Sequence, residues 1–108
     1  MKVAAVVTDL MVYSRIESAA RVAGAELARV DTPLGIPPGV ELVLVDWSAR
    51  EPGWTAALQS VRGARVLLFG PHVDLDAHAA ARDAGLGPMV ARSKLLSTLG
   101  ELMAGSRN

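Results

Sequence analysis

Asp9, Asp46 and Arg92 are the residues of this sequence whose types and positions suggest chemistry. Each of them closes a short, largely apolar run, as does Gly70, which has no side chain. Two carboxylates together can bind a hard divalent cation, and a guanidinium beside them can pair with an oxyanion such as a phosphoryl group. The absence of cysteine from the sequence excludes thiol nucleophiles, disulfides and thiolate metal sites.

The apolar runs that precede these residues predict buried strands, and the segments between them predict helices. Near-continuous apolar runs of this length are typical of strands covered on both faces in a parallel sheet. Strands are predicted at residues 3–7, 27–30, 40–45, 66–69 and 89–91. Helices are predicted over Leu10–Ala23 with Gly24 as C-cap, from residues 52–53 to Gln59 or Val61, over Leu75–Ala84 with Asp74 as N-cap, and after an N-cap at Ser93 as far as Met103.

The connection between the second and third strands is the exception to this alternation. Residues 33–39 contain three prolines and two glycines, which prevent a helix of useful length. Strands that otherwise alternate with helices require parallel pairing through right-handed crossovers, which predicts an α/β doubly wound sheet with helices on both faces. In such sheets the functional crevice lies at the carboxyl ends of the strands, where Asp9, Asp46, Gly70 and Arg92 fall.

Length, charge and hydropathy narrow the class of protein. The 108 residues suit a single domain over residues 1–108, and a hydrophobic content of 51% is enough for one core flanked by two helix layers. A net charge of +0 disfavours a nucleic-acid surface or a polybasic membrane anchor. The amino-terminal apolar run is interrupted at Thr8 and Asp9, which makes it too short for a signal peptide or a membrane span. We therefore expect a cytoplasmic protein that contacts neither nucleic acid nor membrane directly.

The residues that close the predicted strands form an ordered set of motifs. Val-Val-Thr-Asp closes the first strand, Glu-Leu-Val-Leu-Val-Asp the third, Leu-Leu-Phe-Gly-Pro-His the fourth, and Ala-Gly-Leu-Gly-Pro-Met-Val-Ala-Arg-Ser surrounds the fifth. In order and spacing, over nearly the whole chain, this set resembles the receiver domain of two-component response regulators. The resemblance implies a flavodoxin-like five-stranded sheet of order 2-1-3-4-5, with the helix after the second strand absent or shortened.

The resemblance also implies roles for individual residues. Receivers take a phosphoryl group from a histidine kinase onto an aspartate at the end of the third strand, which corresponds to Asp46. Asp9 corresponds to one of the two acidic residues that usually help to bind Mg²⁺, so only a weak Mg²⁺ site at Asp9 and Asp46 is implied, and no other cofactor. Arg92 stands where receivers usually have lysine. Gly70 stands where they have serine or threonine, and it lacks the hydroxyl. The resemblance implies that the protein is not an enzyme, although it would catalyse its own phosphorylation at most.

Each of these residues also has a structural interpretation. Asp46 would end a strand, Asp9 would cap the first helix, and Arg92 would either pair directly with Asp46 or stand exposed at a loop entrance. The alternating histidines and aspartates of residues 72–78 would share one side only in a strand. Their helical context favours capping over a Zn²⁺ or Fe site.

Two tryptophans flank the loop that follows Asp46. Trp47 comes directly after this aspartate, and Trp54 lies at the start of the next predicted helix. Aromatic residues beside a crevice can cover it or contact a partner. Core packing is the favoured interpretation here, because such large side chains bury much apolar area.

Three functions are compatible with the sequence. The first is a stand-alone, atypical receiver-like signalling domain that acts through protein–protein contacts with a histidine kinase or another signalling protein. It would bind its partner either when Asp46 is phosphorylated or permanently. The second is a phosphorylation-independent pseudo-receiver for interaction or dimerisation, since an uncovered apolar flank at residues 31–39 would favour a homodimer. The third is a flavodoxin-like binder of a small cofactor such as flavin or cobalamin.

Overall fold

Five parallel strands form the centre of the computed structural model, which describes residues 1–104. The strands are β1 (Lys2–Val6), β2 (Glu26–Val30), β3 (Leu42–Asp46), β4 (Arg65–Gly70) and β5 (Val90–Ala91). They lie in the order β2-β1-β3-β4-β5, and each neighbouring pair is parallel. The doubly wound α/β sheet predicted from the sequence and the strand order implied by the resemblance are therefore confirmed.

Helices connect the strands and cover both faces of the sheet. The α-helices of residues 1–104 are α1 (Leu10–Ala23), α2 (Trp54–Gln59), α3 (Leu75–Asp83) and α4 (Arg92–Ala104). Three of the predicted caps are confirmed, because Asp9 caps α1, Asp74 caps α3 and Gly24 ends α1 with φ of 71°. In this part of the chain no helix is long and apolar enough to cross a bilayer.

The connection between β2 and β3 contains one turn of 3₁₀ helix, Pro33–Gly35, in place of an α-helix. The hydroxyl of Thr32 caps this turn by accepting a hydrogen bond from the backbone N–H of Leu34 at 3.3 Å. The loop then folds back over the sheet, where Val40 is buried and Ile36 packs against the core. The predicted loss of the second helix is confirmed, and the loop itself covers part of the flank.

Two apolar clusters lie on opposite faces of the sheet. Successive residues of a strand point to opposite faces, so Leu42 and Leu44 belong to one cluster, whereas Val43 and Val45 belong to the other. The helices α1 and α4 complete the first cluster, and α2 and α3 complete the second. Every residue of β3 is buried, as expected for the central strand. This packing fixes the position of Asp46, the last residue of β3.

The start of the last helix differs from the prediction. The helix α4 begins at Arg92, directly after β5, so Ser93 is its second residue and not its N-cap. The residue just before α4 is Ala91, the last residue of β5, and its methyl side chain has no oxygen that could accept a hydrogen bond from the first turn. The backbone of Arg92 is therefore fixed by the first turn of α4 at the edge of the sheet.

Alanine substitutions at Gly24 and Gly100 are expected to change stability in opposite directions. Gly24 has φ of 71°, in the left-handed region that residues with a Cβ avoid, so Gly24→Ala should lower the free energy of unfolding by about 1 kcal/mol. Gly100 lies inside α4, where an added Cβ meets no atom within 4 Å, so Gly100→Ala should raise it by about 0.5–1 kcal/mol. Urea unfolding measures both changes. A loss of stability in Gly100→Ala would contradict the open environment of this helix face.

Candidate functional site

The register of the sheet brings the carboxyl ends of the central strands to one rim. Val6 of β1 pairs with Val45, and Asp46 pairs with Phe69 near the end of β4. The chain order reverses between β1 and β3, because β2 lies on the outer side of β1. Doubly wound folds bind their ligands at the strand ends next to such a reversal. Asp46 stands at this point.

Among residues 1–104, Asp46 is the one polar residue that is buried, with a relative exposure of 5%. Its Oδ1 accepts two hydrogen bonds, from Ser48 Oγ at 2.6 Å and from the backbone N–H of Ser48 at 3.3 Å. No hydrogen bond from the described residues reaches Oδ2. Because a buried carboxylate is unfavourable without partners, Ser48 stabilises one oxygen while the other is left available.

A tightly anchored turn follows Asp46. This aspartate caps the 3₁₀ turn Trp47–Ala49, and the Trp47 side chain is only 1% exposed. The indole N–H of Trp47 donates to the backbone oxygen of Ala77 in α3 at 3.0 Å. Arg50 donates from Nη1 to the backbone oxygen of Trp47 at 3.2 Å, and its guanidinium lies 5.5 Å from the centroid of the Trp47 ring. Both tryptophans of the chain are buried in the core, which confirms their packing role.

Asp9 is exposed and caps α1. Its Oδ1 accepts hydrogen bonds from the backbone N–H groups of Met11 at 2.9 Å and Val12 at 3.2 Å. These are two of the donors that the first turn of a helix leaves without an intrahelical partner. The capping interpretation of Asp9 is therefore confirmed.

The site does not offer a complete set of ligands for a divalent cation. Within residues 1–104, no three histidine, cysteine, aspartate or glutamate side chains are grouped so that they could hold a metal ion. Of the two sequence candidates, Asp9 uses one carboxylate oxygen for its cap and Asp46 uses one for Ser48. Mg²⁺ is usually bound through one or two carboxylates and keeps several waters, so Asp9 and Asp46 would hold it only through their remaining oxygens, as a weak site. No step described below depends on a metal.

Arg92 begins α4 two strands away from Asp46. It follows Ala91, which pairs with the end of β4, so its backbone lies about 10 Å across the sheet from β3 at about 4.8 Å per strand. Among the side-chain nitrogen and oxygen atoms that are fully buried in residues 1–104, the Nε of Arg92 is the one without a hydrogen-bond partner. The ion pair within this part of the chain joins Arg29 to Asp31 at 3.7 Å. The alternative in which Arg92 pairs directly with Asp46 is therefore wrong, because no ion pair joins these two side chains in residues 1–104.

Gly70 lies between Met89 and Ser48. A Cβ added to Gly70 would stand 3.0 Å from Met89 Sδ and 3.6 Å from Ser48 Cβ. The first distance is shorter than an ordinary van der Waals contact, so a side chain at position 70 would require Met89 to shift by a few tenths of an ångström. The end of β4 has no hydroxyl of its own, while Ser48 provides a hydroxyl next to the same place.

The alternating histidines and aspartates at residues 72–78 form caps and local contacts. Asp74 accepts a hydrogen bond from the backbone N–H of Ala77 at 3.0 Å, which caps α3. Nε2 of His78 hydrogen-bonds to the backbone oxygen of His72 at 3.0 Å. The capping interpretation of this run is confirmed.

Ser48 is the residue of the site that the sequence analysis did not identify. The sequence signal for Ser48 is its position two residues after Asp46. A serine in that position can donate both its backbone N–H and its hydroxyl to the carboxylate. Many such pairs stand in ordinary turns. The burial of Asp46, which depends on the packing of the whole sheet, distinguishes this pair from them.

Solved structures of receiver domains are similar to this chain. A response regulator from Thermotoga maritima is 15% identical, with a TM-score of 0.67 over 96% of this chain and 98% of that one. A response regulator receiver domain protein from Clostridium thermocellum is 13% identical, with a TM-score of 0.63 over 94% and 93% of the two chains. A structure described as a CpaE2 pilus assembly protein from Sinorhizobium meliloti is 18% identical, with a TM-score of 0.57 over 97% and 100%. No family model and no curated protein matches the chain. The fold is that of a receiver domain.

Proposed function

We propose that this chain is a receiver-like signalling domain that is phosphorylated at Asp46 and acts through protein–protein contacts. The observation that carries the proposal is the state of Asp46, which is the buried charged side chain of residues 1–104 and leaves Oδ2 without a hydrogen bond. A buried carboxylate at the end of a central strand lowers stability, and proteins tolerate such groups mainly where they function. Its place at the topological reversal of a receiver-like sheet supports the same function.

The protein would contribute positioning and charge stabilisation to phosphoryl transfer. Transfer requires that the acceptor oxygen lie in line with the leaving group and that the charge on the phosphoryl oxygens be stabilised. Ser48 and the turn after it hold the carboxylate. The Nε of Arg92 is a charged donor that has no hydrogen-bond partner among the described residues, and Arg92 is the proposed cation of the site. We propose no catalysis of reactions between other molecules.

Exposed apolar side chains around the same rim support protein–protein contacts as the output. Large hydrophobic side chains are exposed at seven positions in residues 1–104, and five of these follow the carboxyl ends of strands. These five are Leu10, Met11, Leu34, Val73 and Leu75. Exposed apolar surface concentrated at one edge is typical of an interaction site. We propose a histidine kinase or another signalling protein as the partner, since added charge at Asp46 would change the surface it meets.

Reaction with acetyl phosphate tests the acceptor role of Asp46. Intact-mass spectrometry of the parent protein is expected to show the gain of one phosphoryl group, whereas Asp46→Asn should gain none because an amide is a poor nucleophile. Asp74→Asn is the matched control, since Asp74 also caps a helix after a strand of the same rim and should leave the gain intact. Each reaction is run with and without Mg²⁺. The proposal would be contradicted by an unmodified parent in both conditions, or by an equal gain in Asp46→Asn.

A phosphorylation-independent interaction module is the second candidate function. The two hydrogen bonds from Ser48 favour it, because they satisfy one oxygen of the carboxylate within the protein itself. This candidate predicts an unmodified parent and a homodimer of equal stability in the parent and in Asp46→Asn. Analytical ultracentrifugation of the two proteins measures this. A monomer at all concentrations would eliminate the homodimer.

A further inference from the structure

We propose that Ser48 is the positioning residue of this site and its switching hydroxyl. In the resting protein the hydroxyl holds the carboxylate of Asp46 so that Oδ2 is the accepting atom. After transfer the hydroxyl turns from Oδ1 to the new phosphoryl group. This inference rests on the proposed role of Asp46 as phosphoryl acceptor.

The resting geometry distinguishes the two oxygens of Asp46. Ser48 donates twice to Oδ1, at 2.6 Å from its hydroxyl and at 3.3 Å from its backbone N–H. A hydrogen bond of 2.6 Å to a carboxylate is short and strong, and together the two donors fix the plane of the group. The turn that carries Ser48 is itself anchored by the buried Trp47. Oδ2 is therefore oriented by the protein while it forms no hydrogen bond with the described residues.

The chemical change at Asp46 supplies the reason for the switch. Oδ2 attacks the phosphorus of acetyl phosphate, the bond from phosphorus to the acetate oxygen breaks, and acetate leaves with that electron pair. The carboxylate becomes an acyl phosphate, so Oδ1 changes from half of an anion to a neutral carbonyl oxygen. Hydrogen bonds to charged oxygens are about twice as strong as those to neutral ones, so the hydroxyl of Ser48 gains by moving to the phosphoryl oxygens. An interaction that strengthens as the new bond forms also lowers the barrier.

Ser48 lies beside the end of β4, where Gly70 has no side chain. The end of β4 is filled by Met89, whose Sδ would stand 3.0 Å from a Cβ at position 70. Ser48 reaches this region from the other side, with its Cβ 3.6 Å from the same point. The hydroxyl of Ser48 is thus adjacent both to the acceptor carboxylate and to the space where receivers usually carry a serine or threonine side chain.

Three serine variants test the proposal through the rate of phosphoryl gain from acetyl phosphate, followed by intact mass. Ser48→Ala is expected to slow the gain about tenfold or more, which is the effect of losing one charge-assisted hydrogen bond in the transition state. Ser48→Thr keeps the hydroxyl and should restore most of the rate. Ser60→Ala removes a hydroxyl that bonds the backbone oxygen of Ala57 at the end of α2, and it should match the parent. A Ser48→Ala rate equal to that of the parent, or no rescue by threonine, overturns the proposal while the acceptor role of Asp46 stands.

A second measurement keeps the two proposals distinguishable if the parent gains no phosphoryl group. That result would remove the proposed acceptor function and the switch together. The positioning role is then decided by urea unfolding of Ser48→Ala, Asp46→Asn and the double variant. A change in the double variant that is smaller than the sum of the single changes supports Ser48 as the positioning residue, since both single variants break the same contact. Additive changes overturn it.

Discussion

Replacing Trp47 by alanine is expected to lower the free energy of unfolding by about 3–5 kcal/mol. Trp47 is among the largest fully buried side chains of the described chain, and it packs in the cluster covered by α2 and α3. Alanine would remove most of this buried apolar area and leave a cavity that the short 3₁₀ turn is unable to close. Urea unfolding followed by far-ultraviolet circular dichroism measures the change, because the variant also loses a fluorophore. A loss below about 1 kcal/mol would contradict the packing described for this residue.

Phenylalanine variants distinguish the contribution of the ring size of Trp47 to stability from the contribution of its hydrogen bond. Trp47→Phe loses the indole N–H that donates to Ala77, and it should cost about 1–2 kcal/mol more than the smaller ring alone explains. Trp54→Phe is the matched control, because Trp54 is buried in the same cluster at the start of α2, away from the turn that holds Ser48. Equal losses in the two variants would show that the hydrogen bond to α3 contributes little to anchoring the turn.

The burial of Trp47 also connects the core to the site. Ser48 follows Trp47 directly, and its contacts with Asp46 depend on the turn that this side chain anchors. Aromatic burial in one cluster therefore sets the orientation of a carboxylate at the rim of the sheet. The indole N–H also bonds directly to α3, so this helix is in contact with the turn that follows Asp46.

The fold was predictable because its signals are strong and local. The apolar runs that became β1 and β3 are long enough to predict strands buried on both faces, and the prolines of residues 33–39 exclude a helix whatever their surroundings. The position of Asp46 at the functional edge followed from the topology alone. The start of α4 was misplaced at Ser93 because a strand can pass into a helix without a capping residue, and the sequence carries no signal for this.

The side-chain contacts of the site were much less predictable. Asp9 had two possible partners, a cation or its own helix, and the nearby backbone N–H groups are always available to a residue in that position. The hydroxyl of Ser48 and the thioether of Met89 occupy positions that depend on how three separate elements meet. A comparison of residue types with those usual in receivers shows only that Gly70 has no hydroxyl. It does not show which atoms lie next to Gly70 at the end of β4.

Met89→Ala is expected to lower the free energy of unfolding by about 2–5 kcal/mol, and Gly70→Ser by about 1–3 kcal/mol. Met89 is 5% exposed and packs in the same cluster as Trp47, so its truncation leaves a cavity. Serine at position 70 restores the hydroxyl that receivers usually carry. It destabilises this chain nevertheless, because its Cβ would stand 3.0 Å from Met89 Sδ.

The combination of Gly70→Ser with Met89→Ala is expected to be clearly more stable than the sum of the two single losses predicts. The new side chain enters the space that the thioether leaves, so each substitution relieves the strain or the cavity that the other creates. Urea unfolding of the four proteins measures the coupling, and additivity within about 0.5 kcal/mol would show that the two positions do not compete for space. Coupling would mean that glycine at the end of β4 is a consequence of how Met89 packs. The neighbouring hydroxyl of Ser48 then becomes the natural hydrogen-bond donor for the carboxylate of Asp46, because no side chain at position 70 can reach it first.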